Sequence, residues 1–173
     1  MRSCYRISLV VSIVASMSPV ARAIEATDPR QAPGAFSRAG SNGCGLLLLY
    51  GWNRQRTEVI VVEADQGTLQ LDKGSKTFDL ANADHALRVH LDVYEKSQER
   101  FDYCSDLKIP LSEKKAEVWL AQSGQITIEV GGRTGFHQAT AQLNDVVFRK
   151  ANGTLVKFSA PISIAATVGG FSG

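Results

Sequence analysis

The chain has 173 residues, a net charge of +2 and 44% hydrophobic residues, a composition typical of a globular protein rather than a disordered one. Its 19 Lys and Arg residues form no clustered basic face, so the sequence gives no support for nucleic-acid binding. The H-E-x-x-H, G-x-S-x-G, phosphate-loop and paired C-x-x-C signatures are absent from the sequence, so none of the enzyme classes they mark is indicated.

The first predicted element is a signal peptide over residues 1–23. Arg2 and Arg6 precede an apolar stretch at residues 7–17, and the letters ARA at 21–23 match a small-x-small cleavage site. This stretch is shorter than the ~20 apolar residues that a transmembrane helix needs. We therefore expect a secreted or periplasmic protein without a transmembrane segment. Loss of three arginines leaves 16 basic and 17 acidic side chains, a net charge of 16 − 17 = −1.

After the signal peptide we expect a flexible leader over residues 24–43 and a single β domain over residues 44–173. The leader is rich in Pro, Gly, Ala and Ser and has no apolar period. Cys44 and Cys104 are the cysteines that remain after the signal peptide is removed. In an oxidising compartment they are expected to form a disulfide.

The first strand predicted in the domain contains the run of leucines at 46–49. Because it is apolar on both faces, it predicts a strand covered on both sides, either a central strand or one that lies under a loop. Short strands are predicted next in TEVIVVE (57–63), TLQL (68–71) and KTFDL (76–80). The segment ALRVHLDVYEK (86–96) shows the cleanest alternation of apolar and polar residues.

The segment SEKKAEVWLAQSG (112–124) has features of both a helix and a strand. We favour a strand that buries Ala116, Val118 and Leu120 and turns at Ser123 and Gly124 into QITIEV (125–130). In FHQATAQLNDVVF (136–148) the apolar phase slips at Asn144 and Asp145, which predicts a β-bulge.

Pro161 is predicted to break the last segment, TLVKFSAPISIAATV (154–168), or to mark a sheet edge. About ten short strands in all indicate an all-β fold. An antiparallel β-sandwich is the preferred architecture, and a closed β-barrel is the alternative.

A candidate ligand-binding row lies in YGWNRQR. If the strand continues, Tyr50, Trp52, Arg54 and Arg56 project to one side. Two aromatic rings followed by two guanidinium groups could stack on a sugar or bind an anion. The competing interpretation places the rings in the core and uses the arginines to cap a turn.

Two other groups of residues suggest metal or catalytic chemistry. Asp79, Asn82 and Asp84 in DLANAD offer oxygen ligands for calcium, although their spacing matches no known calcium loop. His90 and Asp92 lie two apart on one strand face, where they could orient an imidazole or, with His85, hold a metal. A solvated strand face is the simpler interpretation of this pair, and plain loop solvation that of the acidic group.

We therefore predict an exported, non-catalytic binding module for an extracytoplasmic protein or glycan, with no cofactor. The alternatives are a small-ligand or lipid carrier with a β-barrel cavity, and a hydrolase or metal-dependent enzyme around His85, His90 and Asp92. A further possibility is self-assembly through exposed strand edges. The oligomeric state, and whether Asn152 in the sequon Asn-Gly-Thr carries a glycan, are not indicated by the sequence.

Overall fold

The computed structural model describes residues 36–45, 47–83, 85–101, 103–104, 117–132 and 135–169. Nine strands account for most of this part of the chain, and the predicted all-β antiparallel fold is confirmed. The strands are β1 (Phe36–Cys44), β2 (Leu48–Asn53), β3 (Glu58–Ala64), β4 (Gly74–Asp79), β5 (Leu87–Val93), β6 (Glu117–Val130), β7 (His137–Arg149), β8 (Leu155–Phe158) and β9 (Ile162–Val168). Pro161 lies in the break between the last two of them, as predicted.

All nine strands belong to one antiparallel sheet, whose main path has the order β1-β2-β3-β5-β6-β7-β8. The β6–β7 hairpin is long enough for each of its strands to pair with two different outer strands. The first part of β6 pairs with β5 and the second part with β4, whereas β7 pairs first with β9 and then with β8. Among the described residues β1 packs beside β9, and the Ser41 hydroxyl donates to the Ala165 carbonyl at 2.7 Å. The only backbone bridge between these two edges in this described part of the chain joins Gly45 to Gly169, just beyond the strand ends, so the strands do not close into a barrel.

A bulge in the β6–β7 hairpin replaces the predicted turn at Ser123 and Gly124. β6 runs without interruption through this point, so the strand prediction is confirmed over 117–124 and the turn is wrong; residues 112–116 lie outside the described residues. Pairing shifts between Ala121 and Gln125, opposite the bulge predicted at Asn144 and Asp145, which is confirmed. Gly124 has φ +117° and Asp145 has φ +51°. These positive φ values belong to a bulge within the paired strands and not to a turn that reverses the chain.

The bulge also reverses which residues of β6 face the core. Ile126 and Ile128 are fully buried after it, but Trp119 is the buried residue before it. Val118 and Leu120 are 43% and 44% exposed, so their predicted burial is wrong. The prediction assumed that the even-numbered residues face the core throughout this segment. An extra residue in a strand moves every later side chain to the other face, so the assumption fails across the bulge.

The segment TLQL (68–71) is not a strand, contrary to prediction. The Leu69 N–H donates to the Asp65 carbonyl and the Leu71 N–H to the Gln66 carbonyl, which folds this segment into turns. Leu69 and Leu71 are nevertheless buried. The alternation of apolar residues thus predicted the burial of Leu69 and Leu71 correctly, although the backbone of this segment forms turns and does not pair in the sheet.

The sheet begins at Phe36, inside the segment that the sequence analysis assigns to the leader. β1 pairs with β2 from Phe36 opposite Asn53 to Cys44 opposite Leu48, with a register shift between them. β2 therefore lies between β1 and β3. Leu49 is fully buried, which confirms the central strand expected from the leucine run; Leu46 lies outside the described residues.

The sheet carries apolar layers on both faces. A large cluster fills the inner side, and Tyr50, Val59 and Val61 form a smaller one on the outer side of β2 and β3. The segment that follows β5 packs over this smaller cluster; we call it the strap (residues 94–101 and 103–104). The predicted Cys44–Cys104 disulfide fastens the end of the strap to β1, with a Cα–Cα distance of 5.7 Å. No helix among the described residues is long and apolar enough to span a membrane.

Candidate functional site

The outer face of the sheet brings together Tyr50, Trp52, His90 and Asp92, four of the residues that the sequence singles out. Antiparallel registry places Tyr50, Val61, His90 and Leu120 in one cross-strand row. Trp52, Val59, Asp92 and Val118 form the neighbouring row. The strap contacts the β2 and β3 side of this face. The face therefore has a covered aromatic part and, on β6 to β8, a part with exposed side chains.

Aromatic rings form a continuous layer between the sheet and the strap. Tyr50 is 1% exposed, and its ring centroid lies 6.0 Å from that of Trp52 and 4.9 Å from that of Tyr103. Trp52 in turn lies 5.4 Å from Phe101. The Tyr50 hydroxyl donates to the Phe101 carbonyl at 3.3 Å. The ring of Tyr50 is thus engaged inside the protein rather than presented to a ligand.

Arg56 holds the strap in place. Its Nε donates to the Gln98 carbonyl at 2.6 Å and its Nη2 to the Glu99 carbonyl at 2.5 Å. The same guanidinium lies 5.4 Å from the Trp52 ring centroid and 5.2 Å from that of Phe101, within cation–π distance. Arg54 is exposed in the turn between β2 and β3. Ligand binding by the Tyr50, Trp52, Arg54 and Arg56 row stays a prediction.

His90 and Asp92 form a buried polar pair next to the strap. Both are 7% exposed, and His90 Nε2 lies 3.5 Å from Asp92 Oδ1. Tyr103 donates from its hydroxyl to Asp92 Oδ2 at 2.6 Å, and the Tyr94 and Tyr103 hydroxyls lie 2.9 Å apart. Because the Tyr103 proton is directed at the carboxylate, Tyr94 is the donor to Tyr103. The His90 Nδ1 atom is buried and has no hydrogen-bond partner in the described structure.

Burial sets the protonation states in this network. Desolvation, opposed by the nearby Asp92 and Glu63 carboxylates and reinforced by the positive charge of Arg88, lowers the pKa of His90 from its ordinary value of 6.5. Burial raises the pKa of Tyr103, and its hydrogen bond to Asp92 raises it further. Burial also raises the pKa of Tyr94. Both phenols therefore stay protonated and act as hydrogen-bond donors, not as bases or nucleophiles.

The other predicted polar sites are less concentrated. His85 lies in the turn before β5 and is exposed. Asp79 caps a short 3₁₀ turn at Leu80–Asn82, with its oxygens accepting from the Ala81 N–H at 3.0 Å and the Asn82 amide at 2.8 Å. Asp84 lies outside the described residues, and among those described no three His, Cys, Asp or Glu residues converge to hold a metal. Calcium binding at Asp79, Asn82 and Asp84 stays a prediction.

An exposed apolar surface beside the His90–Asp92 pair was not predicted from the sequence. Val118 and Leu120 follow this pair across the sheet, and Leu120, Arg149 and Leu155 lie opposite one another on β6, β7 and β8. Leu155 is 61% exposed. Among the described residues, three of the four exposed large hydrophobic side chains belong to this surface, so they form a patch instead of scattered positions. We call Val118, Leu120, Arg149 and Leu155 the outer patch.

The position of Trp119, between Val118 and Leu120 on the same strand, is the sequence signal that could have revealed this surface. A tryptophan gains more from burial than the smaller residues on either side of it. Placing Trp119 in the core directs Val118 and Leu120 outward. No protein family, curated protein or solved structure matches the chain.

The buried imidazole predicts that acid destabilises the fold. Since the pKa of His90 is lower in the folded chain than its ordinary 6.5, the folded state resists the proton, and stability present above that value is lost as the pH falls through the folded pKa. We expect a lower melting temperature at about pH 5 than at about pH 7.5. The His90→Gln variant should lose part of this difference in thermal unfolding, and the His137→Gln control should keep it. An unchanged pH dependence in His90→Gln would contradict the assignment.

Proposed function

We propose that this protein is an extracytoplasmic, non-catalytic binding module that recognises another protein through the outer patch. The observation that carries the proposal is the exposure of Val118, Leu120 and Leu155 together on one face of a sheet whose core and strap are well packed. Apolar patches of this kind on folded domains are typical of sites for protein association.

A protein partner fits the site better than a glycan. Sugar binding by the Tyr50, Trp52, Arg54 and Arg56 row would use exposed ring faces and available guanidinium groups. Tyr50 is buried, and Arg56 donates to two strap carbonyls. The outer patch instead offers branched aliphatic side chains, which form dry contacts with other apolar side chains.

A structural role for the His90–Asp92 pair supports a non-catalytic function. Asp92 accepts a hydrogen bond from Tyr103, and both members of the pair are buried. A general base must reach the proton that it removes from a substrate. Here the carboxylate fixes the strap to β5, and that role explains its position without any reaction.

Export is part of the same proposal. The signal-like residues 1–23 and the Cys44–Cys104 disulfide together support a secreted or periplasmic location, because such bridges form and persist in oxidising compartments. The partner would then also be extracytoplasmic.

Affinity capture with surface variants tests the proposal. The exported chain is immobilised and exposed to envelope and culture-medium proteins of the producing cell, next to a Val118→Ser/Leu120→Ser/Leu155→Ser variant. We expect a protein retained by the native chain to be lost from the variant, whose melting temperature should be preserved because the three side chains are exposed. A Phe136→Ser variant is the matched control, since Phe136 is 76% exposed outside the outer patch. Equal capture by the native chain and the patch variant would overturn the proposal.

A further inference from the structure

We propose that the partner presents one carboxylate surrounded by apolar side chains, and that this carboxylate pairs with Arg149 at the centre of the outer patch. The inference rests on the proposed function and adds the chemical class of the partner surface. Its basis is the position of a single positive charge among exposed aliphatic side chains.

The registry of β6, β7 and β8 determines the arrangement. Arg149 is the cross-strand neighbour of Leu120 on one side and of Leu155 on the other. Neighbouring strands lie ~4.8 Å apart, so the guanidinium has an exposed leucine on each flank. The strip of Leu120, Arg149 and Leu155 thus offers apolar contact on both sides of a planar, five-donor cation. Such a cation binds carboxylates in a bidentate geometry.

Arg149 differs from Arg88 and Lys157 in having no neighbouring carboxylate among the described residues. Glu63 lies 3.9 Å from Arg88 on the same face, and Asp145 lies 3.6 Å from Lys157. Arg149 has no acidic partner among the described residues. Docking an uncharged apolar surface here would remove water from this guanidinium without replacing its hydrogen bonds, which is unfavourable. A carboxylate in the partner supplies those bonds.

The same charge disfavours a second copy of this chain as the partner. A symmetric contact of patch against patch would bring two Arg149 guanidinium groups into one apolar interface. Like charges that face one another across an interface oppose association. Recognition of a different, acidic surface has no such conflict.

The experiment uses a phage-displayed library of random dodecapeptides selected on the immobilised full chain. We expect enriched peptides to carry an Asp or Glu flanked by Leu, Ile, Val or Phe. Synthetic copies of these peptides should bind the Arg149→Glu variant at least about tenfold more weakly than the native chain, because an ion pair is replaced by a repulsion. The Arg149→Lys variant should retain part of the affinity, since the charge remains but the fork geometry is lost.

Arg88→Glu is the matched control, because it reverses a charge on the same face outside the outer patch. Its affinity for the selected peptides should stay within about twofold of the native value. Enriched peptides without acidic residues, or acidic peptides that bind Arg149→Glu as well as the native chain, would overturn the inference. So would the absence of enrichment, and so would concentration-dependent dimers in sedimentation that the Leu155→Ser variant does not form.

The outcomes separate this inference from the proposed function. If a captured partner depends on Val118, Leu120 and Leu155 but binds Arg149→Glu unchanged, the binding function stands and the carboxylate is wrong. If capture does not depend on those three residues, the proposed function itself fails.

Discussion

Replacing both bridging cysteines in a Cys44→Ser/Cys104→Ser variant is expected to lower the free energy of unfolding by about 4 kcal/mol. The bridge joins residues 60 positions apart, and closing a loop of that size removes roughly this much unfolded-state freedom on the chain-entropy account. The bridge also fastens the end of the strap to β1, so its loss should loosen the strap before the rest of the domain. Urea titration followed by tryptophan fluorescence measures the first effect, and limited proteolysis within residues 94–101 the second.

Reductant supplies the control for the disulfide prediction. The native chain in dithiothreitol should behave like the double serine variant, and the variant itself should not respond to dithiothreitol. A loss of less than about 1 kcal/mol in the variant would show that the strap is held mainly by its aromatic contacts and by Arg56. That outcome would contradict a major role of the bridge in stabilising the domain.

The Asp92→Ala variant is expected to cost about 3 kcal/mol of stability. Asp92 accepts from Tyr103 at 2.6 Å and lies 3.5 Å from His90 Nε2, and all of these groups are at least partly buried. Truncation leaves the partly buried Tyr103 phenol without its acceptor, which costs ~1–3 kcal/mol, and it also opens a space beside the buried His90 ring. Denaturant unfolding measures the loss.

Glu63→Ala is the matched control for Asp92, because Glu63 is likewise a carboxylate beside a basic side chain on the outer face, here the exposed Arg88. The side chains of Glu63 and Arg88 are 43% and 57% exposed, so removing this pair should cost no more than about 1 kcal/mol. Similar losses in the two variants would mean that burial does not strengthen the Asp92 network. A second comparison uses Tyr103→Phe, which deletes the hydrogen bond to Asp92 and the one from Tyr94 but keeps the carboxylate beside His90; its loss should fall between those of the other two variants.

Alternation of apolar residues predicted the strands, but not always which faces are covered: the expected solvated face of β5 is wrong, since His90 and Asp92 are buried there. β5 and the bulge at Asn144 and Asp145 follow from such patterns, because a phase slip in buried residues requires an extra residue in the ladder. The same reasoning failed at Ser123 and Gly124. A glycine with positive φ suits a bulge as well as a turn, and only the pairing partner across the sheet distinguishes them.

The candidate site was predictable only in part. The spacing of His90 and Asp92 placed them on one strand face, and the structure brings them together. Tyr94 and Tyr103 could not be assigned to the same network, because the path of the strap depends on the disulfide and on Arg56, not on a local period. The outer patch was missed for a different reason. Val118 and Leu120 are exposed because the bulge exchanges the buried and the exposed face of β6.

Because the long β6–β7 hairpin runs through both ends of the sheet, the domain cannot be divided into two parts that each keep their strand pairing. Its strands contribute hydrogen bonds to β4 and β9 at one end and to β5 and β8 at the other. Neither end could be excised as an autonomously folding fragment, since each would lose the backbone against which its outer strands pair. Small single domains typically unfold in one cooperative transition. In such a transition, a partner bound to the outer patch would stabilise the distant Gly45–Gly169 bridge as well as the strands that it touches.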